Sequence, residues 1–145
     1  GCTLNDAVEL AKEVDADGVH VGQDDMSVAR ARAILGPGKI IGASAHNVAE
    51  AVAAYKAGAD YLGCGAVFGS ATKTDASHLP EGELARVCAA TPLPVVGIGG
   101  ITEKNLPRLT GSGVAGVALV SALFAPADKP AAVARLLAAL EKTLG

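Results

Sequence analysis

Tryptophan is absent from this sequence, and two tyrosines and two phenylalanines are its only aromatic residues of the Phe/Tyr/Trp class. A binder of single-stranded nucleic acid, which stacks bases on aromatic side chains, would carry more. Charge of either sign is also sparse: 12 basic residues against 15 acidic ones give −3, too little to draw the chain to nucleic acid or to an anionic membrane. Any anion must therefore be held by local groups. The three cysteines, Cys2, Cys64 and Cys88, are odd in number and far apart, with no CxxC pair for a zinc knuckle or a redox motif. They read as ordinary thiols of a reducing compartment. No apolar run approaches the roughly 18 residues of a membrane span, and the opening GCTLND lacks the basic-then-apolar order of a signal peptide. The expectation is a cytoplasmic protein without nucleic-acid or membrane partners.

What the chain has in quantity is Ala, Val, Leu and Gly: half of its 145 residues are hydrophobic, enough for one domain, residues 1–145, with a real core. Residues 2–5 have the pattern of a short strand, and Val8, Leu10, Ala11 and Val14 repeat at helical spacing. GVHVG at 18–22 is a strand between two glycines. Ser27 is placed to cap a helix over 28–35 that Gly36-Pro37-Gly38 ends, and 39–43 form a third strand. Asn47 caps a helix over 48–56, strand 61–64 follows, and a long loop leads to a helix at 80–90. Strand 94–98 ends in Gly99-Gly100, and Thr102 caps a weaker helix stressed by Pro107. Strand 116–120 and a C-terminal helix over 131–144, opened by Asp128 and Pro130, complete six strand-helix units.

Strands that are almost wholly apolar imply parallel pairing, cover on both faces and crossover helices. That leaves a doubly wound sheet or a β/α barrel. A complete barrel has eight units over roughly 250 residues, and six are present. The chain also opens almost directly on a strand, so a further segment upstream is expected.

The chemistry collects just after the strands: Asn5-Asp6, Asp25, Ser44, Lys73, Gly99-Gly100 and Ser121 each follow one. In a parallel barrel these points share one rim, where the active sites of that fold are built. Asp6 and Asp25 are suited to share Mg²⁺, a hard cation that takes oxygen ligands and substrate phosphates; the plainer reading of either alone is a helix cap. Residues 65–75, GAVFGSATKTD, set Ser70 and Thr72 beside Lys73 and read as an anion holder, against the plainer reading of a solvated loop. Gly99-Gly100 and Val120-Ser121 follow the last two strands, where barrels bind phosphate through backbone N–H groups. His20, His46 and His78 read as structural, capping or solvated residues, and no HExxH or Ser/His/Asp order is present.

Six phrases together resemble one family: LND (4–6), GVHVGQDD (18–25), IIGASAHN (40–47), GADYLGCGAVFGSATKTD (58–75), PVVGIGGI (94–101) and GVALVSALF (116–124). Their order and spacing are similar to the thiamine phosphate synthases. The resemblance implies a parallel β/α (TIM-type) barrel that lacks its first two strand-helix units. It further implies an enzyme that joins hydroxymethylpyrimidine diphosphate to thiazole phosphate with release of diphosphate, through a dissociative substitution with a pyrimidine carbocation. Carried over by position, Asp6 and Asp25 would bind Mg²⁺, and Asn5, Ser44 and Lys73 would contact the pyrimidine diphosphate, Lys73 and Ser44 as the catalytic pair. Ser70, Ala71, Thr72, Gly99, Gly100, Val120 and Ser121 would hold the thiazole phosphate.

The sequence departs from that pattern in lacking, before Gly1, the first two strands and a basic segment that grips the diphosphate; a longer chain or a second polypeptide would supply them. Ala66 stands where the family has proline. Two other readings are a thiazole tautomerase-like relative, disfavoured by the joint presence of Asp6, Asp25 and Lys73, and a non-catalytic fragment that binds a phosphorylated ligand.

Overall fold

The helices begin and end at the polar and glycine residues expected to punctuate them. In the computed structural model, which describes residues 3–5, 8–22, 26–68, 79–102, 104–118 and Ala138, Ser27 accepts a hydrogen bond from the Arg30 backbone N–H at 3.2 Å and opens α2 (Val28–Leu35). Asn47 accepts one from Glu50 N–H at 2.8 Å and opens α3 (Val48–Ala57). Each cap satisfies an N–H that has no partner within the helix. Gly36 and Gly58, at φ 83° and 100°, end the two helices in backbone conformations that cost glycine little.

Between and around them run α1 (Val8–Glu13), α4 (Glu83–Ala90) and six strands: β1 (Thr3–Asn5), β2 (Gly18–Val21), β3 (Ile40–Ala45), β4 (Tyr61–Cys64), β5 (Val95–Ile98) and β6 (Gly116–Ala118). All pairings are parallel, and the spatial order is the chain order, β1 to β6. A doubly wound sheet reverses its order at a switch point. This sheet has no reversal, so successive crossovers of one hand lay α1 to α4 in a single layer, each packed on the next. The fold is a singly wound parallel α/β sheet, and among the described residues it is open, with β1 and β6 at its edges.

Period-2 alternation divides the sheet into two unlike faces. Val19, Val21, Ile41, Ala43, Leu62, Cys64 and Val95 share one face and are buried under the helices. The helices meet them with pairs at i and i+3: Val28 and Ala31, Ala51 and Ala54, Leu84 and Val87. Alanines on α2 and α3 bring those helices close to the strands. Each large side chain so enclosed contributes about 1.5–3 kcal/mol. Among the described residues α1 to α4 lie on the first face only, and on the opposite face Ile40 and Ile98 are 47% and 43% exposed.

Two sequence expectations fail for local reasons. The helix after β5 is a single 3₁₀ turn (Leu106–Leu109), and Pro107 lies in its first two positions, where the missing N–H costs nothing, so it imposes no stress. Thr102 does cap the turn that leads into it: its Oγ1 accepts from the Asn105 N–H at 3.4 Å, the Asn105 Oδ1 accepts from the Thr102 N–H at 2.7 Å, and its carbonyl accepts from the Leu106 N–H at 2.9 Å. The C-terminal helix expected over 131–144 lies outside the described residues apart from Ala138.

The amino-terminal ends of the strands are tied by one guanidinium. Arg32 of α2 donates to the carbonyls of Gly36, Lys39 and Gly58 and to Asp60 Oδ2 at 2.6 Å, and the same carboxylate oxygen accepts from the Ile41 N–H at 2.7 Å. This network closes the end of the sheet away from the functional rim.

Candidate functional site

The parallel register makes this opposite face a pair of rows. Asn5, His20, Gly42 and Tyr61 stand side by side on β1 to β4. Two residues further along, Ser44, Gly63, Val96 and Gly116 do so on β3 to β6. Gly42 stands between His20 and Tyr61 in the first row, Gly63 and Gly116 alternate with Ser44 and Val96 in the second, and the rings use the space. A Cβ on Gly42 would collide with the Tyr61 ring, and one on Gly63 would come within 3.0 Å of His20 Cε1.

His20 is the hub of this face. Its Nδ1 lies 3.0 Å from Tyr61 Oη and its Nε2 lies 2.9 Å from Ser44 Oγ. The His20 and Tyr61 rings are 5.6 Å apart between centroids and tilted by 38°. All three residues are half-buried. Burial pushes the Tyr61 phenol above its ordinary pKa, so it stays protonated at neutral pH. Sequence reasoning treated His20 as structural and passed over Tyr61. The detectable signal was register: on parallel strands, a histidine and a tyrosine that share a row face the same side.

Ser44 differs from its expected place. It was read as following a strand that ended at Ala43, but β3 runs to Ala45 because Ser44 and Ala45 continue to pair with Gly63 and Cys64. The hydroxyl therefore projects from within the sheet.

At the carboxyl ends of the strands, the segments after β4 and β5 are laced together. Val67 and Phe68 donate their N–H groups to the Ile98 and Gly99 carbonyls at 2.9 and 3.0 Å. Gly99 and Gly100 adopt φ of 97° and 67°, and a Cβ on Gly99 would come within 2.7 Å of Ala66 Cα. Only glycine suits that close approach. Asn105 Nδ2 donates to the Gly100 carbonyl at 2.8 Å, which fixes the orientation of that peptide. The Arg108 guanidinium stacks 4.9 Å above the Phe68 ring. A cleft of about 680 Å³ opens beside this contact, between the start of α4 and the 3₁₀ turn, and neither Ser44, Gly99 nor Gly100 lines it.

Of the sequence-predicted site residues, Asn5 ends β1 in the His20 row, Ser44 joins the His20 cluster, and Gly99-Gly100 follow β5. Asp6, Asp25, Ser70, Ala71, Thr72, Lys73, Val120 and Ser121 lie outside the described residues. Among the described residues no group of three or more His, Cys, Asp or Glu side chains is arranged to hold a metal, and no helix is long and apolar enough to cross a membrane. His46, one residue before the α3 cap Asn47, pairs with Glu50 at 2.9 Å, the structural rather than the capping one of the two roles expected of it.

A singly wound parallel sheet with polar side chains on one face and glycines at its carboxyl rim belongs to the α/β class, whose ligand sites are built at the carboxyl ends of the strands. The family description "Thiamine monophosphate synthase" matches residues 2–123. A thiamine-phosphate synthase of Ruminiclostridium cellulolyticum is 44% identical over 134 residues, 92% of this chain and 64% of the relative. One of Methanobrevibacter smithii is 46% identical over 121 residues, 83% of this chain and 58% of the relative. A solved thiamine phosphate pyrophosphorylase of Pyrococcus furiosus superposes with a TM-score of 0.87 at 40% identity, over 99% of this chain and 68% of its own. The chain belongs to the thiamine monophosphate synthase family. It spans about three fifths of the length of those two curated relatives.

Proposed function

We propose that this chain carries the substrate-joining site of a thiamine phosphate synthase, transferring the hydroxymethylpyrimidine group from its diphosphate to thiazole phosphate. The observation that carries the reading is the likeness to the Pyrococcus furiosus pyrophosphorylase over 99% of the chain. The names of the two curated relatives favour this synthase reading over a tautomerase.

The sheet is read as the larger arc of a β/α barrel, one partial domain over residues 1–145, completed by further strands from a longer chain or a second polypeptide. The singly wound order supports this, since it is the order in which barrel strands succeed one another. The edges of an open sheet present unpaired backbone groups that such strands would satisfy.

Ser44 faces the ligand from the sheet face opposite α1 to α4, with Asn5 in the neighbouring row, and both contact the pyrimidine diphosphate. Lys73 supplies positive charge to the departing diphosphate. Ser70, Ala71 and Thr72, with Gly99, Gly100, Val120 and Ser121, hold the thiazole phosphate, and the glycine backbone lets the chain approach the anion closely. Two carboxylates suit a hard cation, and the strands that precede Asp6 and Asp25 are paired neighbours. These two residues would hold Mg²⁺, whose charge would offset that building on the leaving diphosphate. The free thiols Cys64 and Cys88 suit the reducing cytoplasmic setting expected for this reaction.

The test is formation of thiamine phosphate from both substrates and Mg²⁺ by the chain supplied with the remaining segment of a relative. Lys73→Ala is expected to abolish turnover while leaving folding intact, because a rim lysine contributes charge and no core packing. The reading fails if calorimetry of the complemented protein detects no metal-dependent diphosphate binding.

A further inference from the structure

We propose that Asn105 is a positioning residue of the phosphate site: its side-chain amide holds the Gly100 carbonyl back, so that the Gly99-Gly100 turn presents N–H groups rather than that oxygen to the anion. The inference deepens the proposed function and rests on its placing of the thiazole phosphate at this turn.

Three successive carbonyls at the end of β5 are each held by a donor of the protein. Ile98 accepts from the Val67 N–H at 2.9 Å, Gly99 from the Phe68 N–H at 3.0 Å, and Gly100 from Asn105 Nδ2 at 2.8 Å. A trans peptide sets its N–H on the side opposite its carbonyl, so the N–H groups of Gly100 and Ile101 are turned away from the donors at Phe68 and Asn105. An anion is repelled by carbonyl oxygens and held by backbone N–H groups. Of the three donors two are backbone groups; Asn105 contributes the side chain, and a substitution can remove it.

Two glycines in succession do not fix their own peptides, because glycine adopts many conformations at little cost. The Phe68 N–H and the crowding of Gly99 against Ala66 settle the first of them. Asn105 settles the second, and its amide is itself held in one orientation. Its Oδ1 accepts from the Thr102 N–H at 2.7 Å. Exchanging the amide oxygen and nitrogen would set donor against donor at Thr102 and acceptor against acceptor at Gly100, so the network assigns them.

The placement of Asn105 is not that of an ordinary cap. It begins the 3₁₀ turn, where an asparagine usually turns its side chain forward onto the N–H groups that follow. Here it makes no such bond and reaches back to Gly100 instead, while Leu106 beside it is fully buried and anchors the backbone. Its two amide atoms therefore do separable work: Oδ1 ties the turn through Thr102, and Nδ2 orients the Gly100 carbonyl. Asn105→Asp keeps an acceptor for Thr102 and replaces the donor with an oxygen that repels that carbonyl. Asn105→Ala removes both and adds no charge.

The experiment is calorimetry of the complemented protein, parent and both variants, with thiazole phosphate and separately with the pyrimidine diphosphate, beside urea denaturation. Both variants are expected to bind thiazole phosphate about tenfold more weakly than the parent, the size of one hydrogen bond, and to bind the pyrimidine diphosphate as the parent does. Asn105→Asp is expected to unfold near the parent's urea midpoint, since the tie to Thr102 survives. Its tenfold deficit should persist at high salt, which screens a charge effect. Equal binding of thiazole phosphate by parent and variants overturns the proposal, as does a loss shared by the pyrimidine diphosphate or a deficit in Asn105→Asp that closes at high salt. A parent that binds no thiazole phosphate defeats the placing of that ligand at this turn, and this inference with it. A parent that binds it as well as its variants do defeats this inference alone.

Discussion

The Tyr61 ring lies over the Cα of Gly42, its register partner on β3, in the space a side chain at 42 would fill. From there its hydroxyl reaches His20. Gly42→Ala adds one methyl group at a point with no room for it. The expected outcome is a loss of about 1–3 kcal/mol, typical of overpacking, together with displacement of Tyr61. Urea denaturation measures the first and the His20 ¹⁵N spectrum the second; a variant as stable as the parent would mean the ring moves aside freely.

Ser44→Ala removes the hydroxyl that His20 Nε2 meets at 2.9 Å. The residue is only half-buried, so water can replace part of the lost bond, and stability is expected to fall by about 1 kcal/mol or less. Turnover in the complemented assay is expected to fall by far more than that figure implies, since the hydroxyl is assigned to the ligand. Equal and small losses in both measurements would leave Ser44 a structural residue.

Arg32 offers the contrasting case, a residue that holds the opposite end of the sheet and touches no proposed ligand. Its guanidinium joins three carbonyls and Asp60, with side-chain exposures of 23% and 46% for the two partners. Arg32→Ala is expected to cost about 1–3 kcal/mol, reduced from the value of a buried network by solvent screening. Ligand affinity at saturating folding conditions should not change. Lys39→Ala, which breaks a bridge to a fully exposed Asp15, should be much milder.

Cys64 gives a pH dependence. Burial first, then the neighbouring Cys88, pushes its thiol up from 9.0 to about 11. The folded state therefore holds the proton more tightly than the unfolded state. Its contribution is fully present below pH 9 and is lost as the pH rises from 9 through 11, on the order of 2 kcal/mol in all. Denaturation midpoints of the parent should fall across that window more steeply than those of Cys64→Ala. At neutral pH the native thiol should resist thiol-specific reagents until the protein unfolds; rapid labelling of the folded parent would contradict its burial.

Much of the fold was legible because it is written in local terms. Ser27, Asn47 and Gly36 each act within a few residues of themselves, and they start and stop helices where their chemistry requires. The strand at 61–64 was read to the residue. The helix after β5 was misjudged because Pro107 was weighed as an interior residue, whereas it lies in the first two positions of a 3₁₀ turn of four residues. The candidate site was legible in part. Ser44 and Gly99-Gly100 announced themselves by residue type beside strands, while His20 and Tyr61 did not, since their partners are 24 and 41 residues away.

The sequence by itself determined the alternation of parallel strands with helices, the caps, the buried helix-facing residues and the family, because periodicity and motif order are properties of the chain. Tertiary structure alone decided the single winding, which removed the doubly wound alternative, and the register, which aligned Asn5, His20, Gly42 and Tyr61 in one row. A shift of one residue in any pairing would turn that strand's side chains to the other face. The Tyr61–His20–Ser44 chain exists only because three strands hold the same register at once.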